Sequence, residues 1–123
     1  MTRSEQLHRA AGGLATAVGI TTTLAPGPFL RQFGIKSDQT TGTAVWGWRM
    51  FGIRTALIGG LIVSGNPAAR AAMIPVQAAD QVTFALAARD PEIPTQAVNL
   101  ARAISGTLIL TGGLAAWLER RES

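Results

Sequence analysis

The chain contains no cysteine and only one histidine among its 123 residues. The first absence excludes a disulfide framework and any thiolate-bound metal. The second excludes a centre built from several imidazoles, so no metal site and no redox metal cofactor is expected. Charge is scarce as well: Asp, Glu, Lys and Arg make up 15% of the chain, against roughly 25% in an ordinary soluble domain. Apolar residues still reach 47%, which excludes a disordered chain, since disorder needs low hydrophobicity and high charge. The length leaves room for one domain, taken as residues 1–123.

What is abundant is small: 21 alanines and 14 glycines. A single lysine stands against ten arginines, a usage that fits a GC-rich bacterial genome. The few charges gather at the termini and at evident turns, and four weakly apolar stretches lie between them, over about 10–30, 44–64, 68–88 and 97–118. Each is close to the ~20 residues that cross a bilayer core as a helix. The separators read as loops: the polar run around Gly34, the turn Ser64-Gly65-Asn66-Pro67, and the doubly prolyl Arg89-Asp90-Pro91-Glu92-Ile93-Pro94. A soluble four-helix bundle needs a charged face on every helix. Gly12–Leu30 and Ala103–Leu118 offer only Thr, Ser and Gly as polar residues. The expected fold is therefore all-α, a bundle of four transmembrane helices.

The first stretch reads as a mature helix, kinked or ended near Pro26 and Pro28, because Pro26 directly after Ala25 spoils a signal cleavage site. With four spans both termini share one side. That side carries Arg3, Arg9, Arg70, Arg120 and Arg121, against Arg31, Lys36 and Arg89 on the other. The bias places both termini in the cytoplasm of a bacterial plasma membrane. His8 reads as a solvated interfacial residue with no catalytic role. Small residues four apart, such as Gly60 with Ser64 and Ala103 with Thr107 and Thr111, make flat strips that suit either internal packing or a homodimer or partner interface.

Four charges fall inside the stretches: Arg49, Arg54, Asp80 and Arg102. Charges at such depth are costly and usually face the bundle interior in pairs. With Arg54 mid-span, Arg49 and Arg102 each lie about 7.5 Å towards the outer side and Asp80 about 3 Å, at ~1.5 Å per residue. Gln77 sits one turn from Asp80 on the same face, with Phe84 one turn beyond. Asp80 satisfies one guanidinium; the other two arginines either snorkel to the interface or anchor an anionic or electron-rich ligand. Trp46 and Trp48 beside Arg49 either mark the headgroup level or wall an apolar cavity.

Arg49-Met50-Phe51-Gly52-Ile53-Arg54 reads R-x-x-G-x-R, with Gly59 and Gly60 later in the same helix and a lone Asp80 in the next. This pattern resembles small four-helix membrane proteins of the DoxX-like group, over roughly Ala10 to Trp117. The resemblance implies a four-helix membrane bundle, singles out Arg49, Gly52, Arg54 and Asp80, and links some members to quinone-dependent redox complexes.

Two functions compete. One is a binding or accessory membrane protein that holds a lipid, a quinone-like molecule or an anion between its helices, with Arg49, Arg54, Arg102, Gln77 and Trp46 as ligand-binding residues. The other is a cofactor-independent membrane enzyme, an isomerase, cyclase or epoxide-opening catalyst, with Asp80 as the catalytic acid or base. The expected partner is a membrane lipid or hydrophobic small molecule. Nucleic-acid binding is not expected, because the net charge of +4 forms no basic helix face.

Overall fold

A computed structural model describes residues 1–36, 38 and 41–123. The described chain is all-helical. Its elements are α1 (Arg3–Leu24), α2 (Pro26–Gln32), α3 (Gly42–Val63), α4 (Pro67–Ala87) and α5 (Thr95–Glu122). The four long helices form the bundle and α2 is a short crosspiece at one end.

Local chemistry sets the ends. Thr2, Thr41 and Asn66 each cap a helix, their side-chain oxygens accepting from the backbone N–H of Glu5, Ala44 and Ala69 at 3.1, 3.3 and 2.9 Å. Pro67 and Pro26 occupy first-turn positions, where a missing N–H costs nothing. Pro26 also ends α1, since the residue before a proline is pushed out of helical geometry, and Ala25 has φ −134° and ψ 61°. The connection between α3 and α4 turns through Gly65, whose φ of +91° suits only glycine well. Pro75 lies inside α4, and the helix continues through it to Ala87.

α1 and α3 run antiparallel and make the closest pair, because glycine faces glycine at two levels. A Cβ on Gly12 would stand 2.8 Å from the Gly59 carbonyl oxygen, and one on Gly59 would stand 2.7 Å from that of Gly12. One turn pair further on, a Cβ on Gly19 would be 2.5 Å from the Gly52 carbonyl oxygen and one on Gly52 2.8 Å from that of Gly19. Backbones this close gain dispersion and Cα–H···O contact in place of bulky side-chain packing. α5 packs against both α1 and α4, while the seam between α3 and α4 is loose. Gly13, Gly60 and Gly106 face open space instead.

Large apolar side chains are exposed on all four long helices, among them Ile20 and Leu24 on α1, Met50, Ile53 and Leu57 on α3, Val82 and Leu86 on α4, and Leu110 and Leu114 on α5. Much of what is buried is small or polar: Ala11, Ala15, Thr22, Thr55, Gln77, Ala97, Ser105 and Ala115. Among the described residues, one helix, Thr95–Glu122, is long and apolar enough to cross a membrane.

One expectation is overturned. His8 is not solvated: it is only 5% exposed. The charged amino-terminal stretch is helical from Arg3, so Ser4, His8, Ala11, Gly12 and Ala15 form one buried stripe of α1. His8 Nε2 lies 3.2 Å from Glu119 Oε2, and Ser4 donates through its hydroxyl to Glu122. At the same end Glu5 accepts a fork from Arg70, at 2.7 Å from Nη1 and 2.9 Å from Nη2, and a third bond of 3.1 Å from Arg9 Nε. Arg70 Nε donates to the Ile62 carbonyl at 3.1 Å, tying α4 to the end of α3.

Candidate functional site

At the opposite end the helices part around a cavity of about 320 Å³. This lies at the small end of the roughly 300–1,000 Å³ range of ligand pockets. α3 contributes Ala44, Gly47, Trp48, Phe51 and Thr55; α4 contributes Gln77, Asp80, Thr83 and Phe84; α5 contributes Ala101, Ile104, Ser105 and Leu108. Val18 closes it from α1, and Phe29 and Phe33 close it from α2.

The α2 crosspiece holds its place by stacking. Phe29 and Phe33 lie 4.8 Å apart, and Trp48 stands 6.3 and 6.4 Å from them and 5.9 Å from Phe51, all between ring centroids. These distances lie in the range where tilted and edge-to-face pairs attract. Gln96 at the start of α5 donates to the Gln32 carbonyl at 3.1 Å, pinning the end of α2.

Asp80 is the one charged side chain among the described residues of this lining. Gln77, Asp80 and Phe84 face inward together, as positions three and four apart on a helix do. Across the loose seam Arg54 reaches Asp80 with one nitrogen, Nη2, at 3.4 Å from Oδ1 and 3.5 Å from Oδ2. That contact is longer than the 2.7–2.9 Å of a tight guanidinium–carboxylate pair. The Arg54 side chain is 49% exposed and that of Asp80 16%. The guanidinium thus lies outside and the carboxylate inside. The Arg54 Cζ also sits 5.5 Å from the centre of the Phe51 ring.

Gln77 and Thr55, each 8% exposed, line both this cavity and a much smaller one beside Arg54. Thr16, Thr22 and Thr23 bond back to the carbonyl four residues earlier. The Thr55 hydroxyl and the Gln77 amide make no hydrogen bond with any described residue. Among the described residues no buried polar side-chain atom is sealed off without a partner, so both groups open onto the cavities.

The structure therefore brings together Asp80, Arg54 and Gln77. It does not bring Arg49, Arg102 or Trp46 to them: all three are exposed on the outside of the bundle, away from the cavity lining. The Arg102 backbone carbonyl accepts from Gln81 Nε2 on α4 at 3.4 Å. Phe29 and Phe33 are cavity residues that the sequence did not single out. The signal for them was the helix break at Pro26, which turns the chain across the end of the bundle. Comparison with protein-family models, with curated proteins and with solved structures finds no match.

Proposed function

We propose that this chain is a four-span membrane protein whose cavity holds a small lipophilic ligand. The observation that carries the proposal is the cavity itself: apolar and aromatic walls, one inward carboxylate among the described residues, and the side chains of Gln77 and Thr55, which open onto it and make no hydrogen bond with any described residue. Ligand pockets are typically apolar clefts in which a few convergent polar groups fix the ligand's orientation. The membrane setting is supported by the large apolar side chains on the outside of every long helix and by the small residues within. The resemblance to the DoxX-like group belongs to the same reading. Two residues of its pattern, Arg54 and Asp80, meet across the α3–α4 seam, and a third, Gly52, seats α3 against Gly19.

A second reading makes Asp80 the acid or base of a cofactor-free proton transfer, favoured by its place as the one carboxylate in an apolar cavity. It predicts that Asp80→Asn abolishes turnover while the ligand still binds.

The test of the binding reading is native mass spectrometry of the protein purified in a non-ionic detergent, followed by organic extraction. The wild type is expected to carry a ligand mass. Gly47 lines the cavity, and a Cβ there meets nothing within 4 Å. Gly47→Leu should therefore fold normally, relieved of the helix cost of glycine, roughly 0.5–1 kcal/mol against alanine, and should retain much less ligand. A wild type with no retained mass, matched by Gly47→Leu, would overturn the reading.

A further inference from the structure

The arrangement of charge at the cavity says more about the ligand than its size does. Of the three arginines expected to anchor an anion, Arg49 and Arg102 are exposed, and Arg54 is turned to Asp80. Among the described residues the only charge on the cavity wall is the carboxylate of Asp80. Trp48, Phe51 and Phe84 line the same cavity. Aromatic faces attract cations through their quadrupole, most strongly when water is excluded. A carboxylate inside an apolar wall needs a positive partner, and what Asp80 has is a single guanidinium nitrogen at 3.4 and 3.5 Å.

The same chain shows what a satisfied pair looks like. Arg70 grips Glu5 with two nitrogens at 2.7 and 2.9 Å. Arg54 does not grip Asp80 in this way, and half of its side chain is exposed. In the same position its guanidinium carbon lies 5.5 Å from the centre of the Phe51 ring. Asp80 thus keeps acceptor capacity on its cavity side, one turn from the amide of Gln77, which bonds to no described residue.

We propose that the cavity binds a small lipophilic cation, a quaternary ammonium or protonated amine carrying an apolar group, with its charge between Asp80 and the aromatic wall. The apolar group lies against Phe29, Phe33 and Ile104. Arg54 competes with the ligand for Asp80 and gives way outward when the ligand enters. This rests on the reading of the cavity as a ligand site and names the class of ligand.

Three probes of like shape separate the two claims: benzyltrimethylammonium, its neutral carbon analogue neopentylbenzene, and the anion phenylmethanesulfonate. Binding is read as quenching of Trp48 in non-ionic micelles, in a full-length Trp46→Phe/Trp117→Phe background. The cation is expected to bind at least about tenfold more tightly than the neutral analogue, and the anion not at all. Asp80→Asn should erase the cation's advantage and leave the neutral probe unchanged. Arg54→Gln should raise cation affinity several-fold, and Phe84→Leu should lower it with the carboxylate intact. Equal binding of cation and neutral probe, or a preference that survives Asp80→Asn and Phe84→Leu, would overturn the cation and leave the ligand cavity standing. No binding by any probe, together with no retained ligand mass in the wild type, would overturn both.

Discussion

Arg54–Asp80 and Arg70–Glu5 are the same chemistry in two geometries, and the difference follows from their settings. Glu5 sits in the first turn of α1, where the cap bond from its own N–H to Thr2 fixes the backbone and Arg70 and Arg9 converge on the carboxylate. The bonds from Arg70 first and Arg9 second hold its carboxyl down to about 2, from an ordinary 4.5. A carboxyl held low takes up a proton less readily in the folded chain than in the unfolded one. Its contribution to stability is therefore full above about pH 4.5 and is lost as the pH falls from there towards about 2. Thermal melts followed by circular dichroism should show Glu5→Gln less stable than wild type at pH 7, with the gap constant down to about 4.5 and closed near 2. Neither this clamp nor the burial of His8 was legible in the sequence. Glu5 and Arg70 stand 65 positions apart and His8 and Glu119 stand 111 apart, and no local pattern reports such meetings. Asp80 and Gln77 were legible, because their spacing places them on one face whatever that face meets.

At the level of elements, the helices themselves were readable. Caps, prolines and turn glycines are local signals, and they set α3 at Gly42–Val63 and α4 at Pro67–Ala87, within two residues of the stretches read at 44–64 and 68–88; α1 instead runs Arg3–Leu24 where 10–30 was read, and α5 runs Thr95–Glu122 where 97–118 was read. What small residues do was not readable. Gly12, Gly19, Gly52 and Gly59 look like Gly13, Gly60 and Gly106 in the sequence, and only the partner helix distinguishes them. Gly59 faces backbone: a Cβ there would stand 2.6 Å from Thr16 N and 2.7 Å from the Gly12 carbonyl oxygen. Backbone cannot swing aside as a side chain can, so Gly59→Leu must push α1 and α3 apart. The expected loss is about 3 kcal/mol, the upper end of ordinary overpacking. Gly60→Ala, one residue on, meets open space and should be neutral or stabilising by roughly 0.5–1 kcal/mol. Unfolding by dodecyl sulfate titration would read both. A Gly59→Leu protein as stable as Gly60→Ala would show that the close crossing does not hold the bundle.

For the whole molecule the question is how many helices cross. Hydropathy averages around a helix, so inward-facing polar residues count against crossing as heavily as outward-facing ones. α4 carries Gln77 and Asp80 on its cavity face, and α1 begins with a charged first turn. α5 has neither burden in its middle, and it is the one described helix apolar enough by composition. The outer faces support a different count, because each long helix exposes large apolar side chains. At 1.5 Å per residue the 21 residues of α4, the shortest of the four, run to roughly 32 Å, enough for a hydrocarbon core of about 30 Å. The absence of cysteine makes the count measurable with single substitutions at exposed turns. Ser64→Cys marks the α3–α4 turn, Pro91→Cys the α4–α5 turn and Ser123→Cys the carboxyl end. Four spans with cytoplasmic termini predict that an impermeant maleimide labels only Pro91→Cys in intact cells, and the other two after permeabilisation. A single span through α5 would put Ser64→Cys and Pro91→Cys on the same side, opposite Ser123→Cys. That pattern would leave the apolar outer faces of α1, α3 and α4 in water, and it would overturn the four-span proposal.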